Sequence, residues 1–304
     1  MRLDDFDPNI NVGSQDNRGG GFGGFGGGGG GGGLLFGLLP LIGSRFGCLG
    51  IAVVLGLMVF FGGGLGNLTG GGSNTAPVTR SAPASGGNAA QICSADPARR
   101  ATCNAFSSAE HTWETMIARQ GGQFRAPSLQ FFDQNGQSAC GAAQAAMGPF
   151  YCPVDQGIYI DTSFFNELVN RFHAAGDFAQ YYVVAHEFGH HIQNLTGTSE
   201  RVQQIQRSSG RAEGNAASVR LELQADCYAG VWAAQNRNRL EPGDVEEGLR
   251  AAQAIGDDTL QREATGNVNQ ESFTHGTSAQ RMHWLKVGLD SGDLGQCDTF
   301  SGAL

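Results

Sequence analysis

"VVAHEFGHHIQNLTG", residues 183–197, holds three of the chain's seven histidines within six positions, and a glutamate follows the first of them. The pattern is His186-Glu187-Phe188-Gly189-His190, an H-E-x-x-H. On a helix, residues four apart lie one above the other, roughly 6 Å along the axis. Both imidazoles then face one ion. Glu187 stands beside it, placed to take a proton from a metal-bound water. The alternative is a solvated helix face that carries histidines by chance. The surroundings favour the first reading: Phe178, Tyr181, Tyr182, Ala185, Phe188, Ile192 and Leu195 form an apolar stripe at helical period. Asp177 suits the N-cap and Gly197 the stop. Gly189 costs about 1 kcal/mol against Ala in a helix interior, and its missing side chain suits the close approach of another segment.

A catalytic zinc normally has three protein ligands and an open position. His191 lies about 100° around the helix from His190 and cannot join the same ion. Gln193 and Thr196 stand where a metzincin extension would need glycine and histidine. The third ligand therefore comes from another segment. "NAASVRLELQADCYAGVWAAQNRNR", residues 215–239, reads as a helix with Val219, Leu223, Cys227, Tyr228 and Val231 at helical spacing. On it, Glu222 and Asp226 share one face. Glu222 suits ligation, and Asp226, one turn on, suits the ring N–H of a ligating histidine. Ala225 and Ala229 would let the two helices pack closely. A solvated carboxylate pair is the other reading, and Glu213, in an expected loop, is an alternative ligand.

Four stretches, "AHEFGHHIQNLTG", "LELQADCYAGVW", "GPFYCPVDQGIYIDTSFF" and "SFTHGTSAQRMHWLKVG", together resemble the bacterial neutral zinc metallopeptidase family. The resemblance covers most of residues 91–304, and a glycine-rich arm with one membrane span also fits it. It implies a zincin-like α+β fold, with an active-site helix and a small sheet, and Glu222 as third ligand within an E-x-x-x-D motif. It implies no particular substrate.

The composition divides the chain. Residues 19–33 are thirteen Gly and two Phe, with almost nothing to bury, so residues 1–45 read as a disordered cytoplasmic arm. Residues 46–68, "FGCLGIAVVLGLMVFFGGGLGNL", carry no charge; at roughly 34 Å they are long enough for a transmembrane helix. Residues 69–90 read as a flexible linker. Residues 91–304 remain as one metallopeptidase domain. Arg2, Arg18 and Arg45 precede the span and no basic residue follows until Arg80, which puts the N-terminus inside and the domain outside, periplasmic in a bacterium. Six of the seven cysteines lie in that domain, an even count that suggests disulfides. Proximity pairs Cys93 with Cys103 and Cys140 with Cys152, leaving Cys227 with Cys297. The net charge of −9 and the absence of a basic patch argue against nucleic acid as a partner.

"LQFFD" (129–133) and "GIYIDTSFF" (157–165) read as strands, and "YCPVDQGIYID" is expected to supply a sheet edge that pairs with extended substrate. His275, just before a helix starting near Ser278, is the first choice for an oxyanion donor, with Tyr228 and Arg281 behind it. His111, His173 and His283 are expected to be structural or solvent-facing. These readings converge on a membrane-anchored peptidase of peptide or protein substrates, with Zn²⁺ on His186, His190 and Glu222. Glu187 takes a proton from the zinc-activated water and returns it to the leaving amine. A non-catalytic module stabilised by zinc and an amidase acting on cell-wall peptides are the alternatives.

Overall fold

The computed structural model describes residues 1–4, 6–15 and 89–302. The glycine tract, the 46–68 span and most of the linker lie outside the described residues. Ala89 and Ala90, assigned to the linker, open the first helix, α1 (Ala89–Cys93).

The architecture is α+β. A four-stranded sheet runs in the order β1 (Val12–Ser14), β2 (Ser128–Phe131), β6 (Gly157–Ile160), β5 (Phe150–Cys152). The first three strands are parallel, and β5 runs antiparallel to β6 as an edge. A separate hairpin, β3 (Asn135–Ser138) and β4 (Gly141–Gln144), precedes β5. Every residue of β6 is buried, as befits a strand covered on both faces.

Helix α1 lies against β1, and α2 (Pro97–Arg119) reaches the sheet through Arg99, stacked over the Phe131 ring. Its start is set by Pro97 at its first turn and by Asp96, whose side chain accepts from the Arg99 N–H at 2.9 Å. Short α3 (Ser163–Asn170) leads to the central helix, α4 (Asp177–Leu195). Phe188 of α4 meets Phe106 of α2 edge-on at 5.5 Å. Then follow α5 (Thr198–Ser208), α6 (Arg211–Gln235), α7 (Asp244–Ala254), α8 (Asp257–Thr265) and α9 (Ser278–Ser291).

The expected N-cap of α4 is displaced by one position. Gly176, at φ +128°, occupies it, and Glu247 of α7 supplies the acceptor, taking the Phe178 N–H at 3.1 Å. A side chain at Gly176 would collide with that carboxylate.

The membrane reading is corrected. No helix among the described residues is long and apolar enough to cross a membrane. The longest, α2 and α6, carry charges such as Arg100 and Glu114, or Arg220 and Glu222, along their length. Met1, Leu3, Ile10 and Val12 are buried in the main core, and β1 pairs with β2, Val12 opposite Leu129. A single crossing between residues 15 and 89 would put those two paired strands on opposite sides of a bilayer. The expected single-pass topology, with a cytoplasmic N-terminus and an extracytoplasmic domain, is withdrawn together with the membrane partner. The compact unit containing residues 91–302 also includes the first fifteen.

Three disulfides join the expected pairs, Cys93–Cys103, Cys140–Cys152 and Cys227–Cys297, with Cα separations of 5.9, 5.8 and 5.6 Å, within the usual range.

The helices that carry the site approach almost backbone to backbone. A Cβ on Gly189 of α4 would stand 3.0 Å from the Ala225 carbonyl oxygen of α6. Between α6 and α9 the fit is tighter: a Cβ on Gly230 would overlap the Leu285 carbonyl, and one on Gly288 would overlap that of Cys227. Gly288→Ala should therefore destabilise the fold by about 3 kcal/mol, at the upper end for overpacking, although alanine is the better helix former by about 1 kcal/mol. Denaturant unfolding tests this, and an unchanged midpoint would mean that the helices can separate freely.

Candidate metal centre

The H-E-x-x-H segment lies on the second half of α4, a helix buried on nearly every face. His186 and His190 stand one turn apart on the side that faces α6, with ring centroids 4.8 Å apart. Glu222 of α6 meets both. Its carboxylate oxygens lie 3.1 Å from His186 Nε2 and 3.5 Å from His190 Nε2. One ligand atom from each of the three residues falls within 4.8 Å of the others, a spacing fit for one metal ion.

The other ring nitrogens are held from behind. His186 Nδ1 lies 2.8 Å from Asp226 Oδ1, and His190 Nδ1 lies 2.9 Å from Gln193 Oε1. Both partners accept a proton, so each histidine donates from Nδ1 and turns its Nε2 toward Glu222. Once a metal displaces the proton at each Nε2, two imidazoles held through Nδ1 and one carboxylate would form a donor set suited to zinc.

Asp226 is fully buried and takes four donors. Arg281 of α9 binds both its oxygens, Nε to Oδ2 at 2.8 Å and Nη2 to Oδ1 at 2.9 Å. Tyr182 donates to Oδ1 at 2.6 Å, and His186 completes the set. Burial alone would raise the Asp226 pKa, but Arg281 and His186 hold it down at about 2. Burial likewise disfavours charge on His186, yet Asp226 and Glu222 outweigh it and raise its pKa to about 10. Metal and proton therefore compete for that ring. Gln193, also fully buried, donates to the Leu221 carbonyl at 2.7 Å and so ties His190 back to α6.

Glu187 is 6 % exposed and follows the first ligand in the chain. Its carboxylate hydrogen-bonds no described residue. Burial raises its pKa, against the pull of His190 and His186.

His191 points away from the cluster. Its Nε2–H donates to the Arg125 carbonyl at 2.7 Å, and its Nδ1 accepts the Tyr151 hydroxyl at 3.1 Å. Burial lowers its pKa to about 4, so the ring is neutral and latches α4 to edge strand β5.

His275 sits in the loop before α9, its side chain 49 % exposed. Asp257, at the start of α8, accepts from the backbone N–H groups of Thr274, His275 and Gly276 and lies 3.2 Å from His275 Nδ1. The charge of Glu222 reaches the ring. Of the two reserve donors, Tyr228 packs edge-on against Trp113 in the core, and Arg281 is committed to Asp226. Glu213 is exposed in the first turn of α6, away from the cluster.

Four residues around the site had no role, or a different one, in the sequence reading. Tyr182 and Gln193 stand four before His186 and three after His190, so helical spacing marks them. Arg281 and Asp257 come from distant segments, and no spacing rule connects them to the motif.

A family model described as "Putative neutral zinc metallopeptidase" matches residues 7–300. An uncharacterized protein of Escherichia coli K12, YpfJ, is 48 % identical over 211 residues, which are 69 % of this chain and 74 % of that protein. An uncharacterized protein of Mycobacterium tuberculosis H37Rv is 44 % identical over 211 residues, 65 % of this chain and 69 % of its own length. No solved structure matches the chain.

Arg281→Met would leave the buried Asp226 charge without its main partner. Losing one member of a buried pair costs about 3–5 kcal/mol, and loosening the carboxylate behind a ligating histidine lowers metal affinity about 10- to 100-fold. Both effects are expected here, read by denaturant unfolding and zinc titration. His191→Ala should retain zinc, and a variant that loses it would place His191 among the ligands.

Proposed function

The chain belongs to the neutral zinc metallopeptidase family, and from that premise we propose that it hydrolyses peptide bonds, with His186, His190 and Glu222 as zinc ligands and Glu187 as general base. Glu187 carries the reading. It is a buried carboxylate beside a three-residue cluster, and no described residue hydrogen-bonds it. A structural zinc site needs no such group, so the alternative of a non-catalytic module leaves Glu187 without a purpose.

A zinc ion held by these residues polarises a carbonyl and acidifies water. The rest falls to the chain. Glu187 takes the proton of the attacking water and passes it to the leaving amine nitrogen. His275, oriented through Nδ1 by Asp257, turns its other nitrogen toward the carbonyl oxygen as charge builds there. The outer edge of β5, latched to α4 through Tyr151 and His191, offers backbone groups to which an extended peptide can add as a strand. Peptides and proteins are accordingly the substrate class.

The test is zinc content and cleavage of an unfolded protein such as casein, measured on the same purified variants. Glu187→Gln should keep about one zinc per chain and lose roughly 10²- to 10⁴-fold in rate, the span typical of a general base. Glu222→Ala should lose zinc and cleavage together. Undiminished cleavage by Glu187→Gln would remove the mechanism, and normal zinc in Glu222→Ala would remove the ligand.

A further inference from the structure

Beside the metal cluster lies a groove of about 390 Å³, between the N-terminal half of α6 and the segment 270–280. Its position follows from the helix. Val219, in its wall, precedes Glu222 by three residues, about 4.5 Å along the axis. On the opposite wall, Gly276 immediately follows His275. Gly276 is at φ +91°, and a Cβ there would stand 3.2 Å from Leu223 and 3.3 Å from Val219. Its bare backbone lets the loop that carries His275 close onto α6, so one groove wall is next in sequence to His275 and the other lies within a turn of Glu222.

The chemistry of its walls is narrow. Val219 and Phe273 are buried and cluster with Leu223 to form an apolar floor. Much of the polar lining is already engaged. Asn215 donates to the Glu271 carbonyl, while the Gln280 side-chain oxygen accepts from the Thr277 backbone N–H and hydroxyl. No basic residue lines the groove, and the single charged one, Glu271, is exposed at the rim. An acidic side chain would enter an apolar slot with a carboxylate at its mouth and no cation to meet it, whereas an aliphatic or aromatic side chain would bury apolar surface at no such cost.

We propose that this groove is a specificity subsite for a large, uncharged, apolar side chain of the peptide. The proposal rests on the peptidase reading. Its test uses the zinc-loaded Glu187→Gln chain, which binds peptide without consuming it, and calorimetry with blocked pentapeptides. The pentapeptides carry Leu, Ala, Glu or Lys in turn at each position. At one position Leu should bind at least about tenfold tighter than Glu, the scale expected of a hydrophobic pocket. Ala216, exposed on the groove wall, can be changed without touching the core. Adding Ala216→Phe should cut the affinity of the Leu peptide about tenfold and spare the Ala peptide. Adding Ala216→Arg should admit the Glu peptide, a gain that misfolding cannot produce. If both variants keep the original order of affinities, or if Lys is preferred to Leu throughout, the proposal is overturned. If the affinities change as expected but the unsubstituted chain cleaves none of the peptides, the groove stands as a binding site and the peptidase reading falls.

Discussion

The site hangs on one buried carboxylate. Asp226 receives an arginine from α9 and a tyrosine and a histidine from α4, while standing on a third helix, α6. An ion pair with no access to water is a poor source of stability, because desolvation consumes most of the Coulombic gain. What it supplies is direction. The carboxylate has no acceptor capacity left, so His186 can donate to it in only one tautomer and one ring orientation. With Gln193 doing the same for His190, the two Nε2 atoms meet at Glu222 because of groups outside the candidate ligand set.

That arrangement in turn requires α6 to sit close to both neighbours. Gly189 against Ala225 sets the distance between α4 and α6, and Gly230 with Gly288 sets it between α6 and α9. Arg281 reaches Asp226 from α9 only because that second contact is nearly backbone on backbone. The Cys227–Cys297 disulfide, one residue from Asp226, and the hydrogen bond from Gln224 to the Cys297 carbonyl at 3.0 Å fasten the chain's last segment to the same helix.

The candidate cluster was legible because it is local. His186, Glu187 and His190 lie on one helical face, Glu222 and Asp226 on another, and the period of each helix can be read from its apolar residues. The three cysteine pairs followed from proximity and elimination. What failed to show was of two kinds. Arg281, Asp257 and Glu247 act at a distance in sequence: Glu247 caps α4 from α7, so Asp177 looked like the cap when it is the first helical residue. The second failure was one of composition. A glycine tract made everything before residue 45 read as an arm, and the short alternation in Ile10, Val12 and Ser14 was too brief to stand out beside it, although β1 completes the parallel part of the sheet. A strand of three residues paired across more than a hundred positions leaves almost no trace in periodicity.

The facing glycines of α6 and α9 also bear on how such a chain can change over generations. Each is a weak helix former, at roughly 1 kcal/mol relative to alanine, so drift favours replacing either one. Each single step is nonetheless costly, because the atom added meets the other helix's backbone, which has no rotamer through which to yield. The two helices can part only by several coordinated changes that would carry Arg281 away from Asp226 and leave His186 unsupported. Two residues with no side chain thus hold in register the arginine that supports Asp226 behind the candidate cluster.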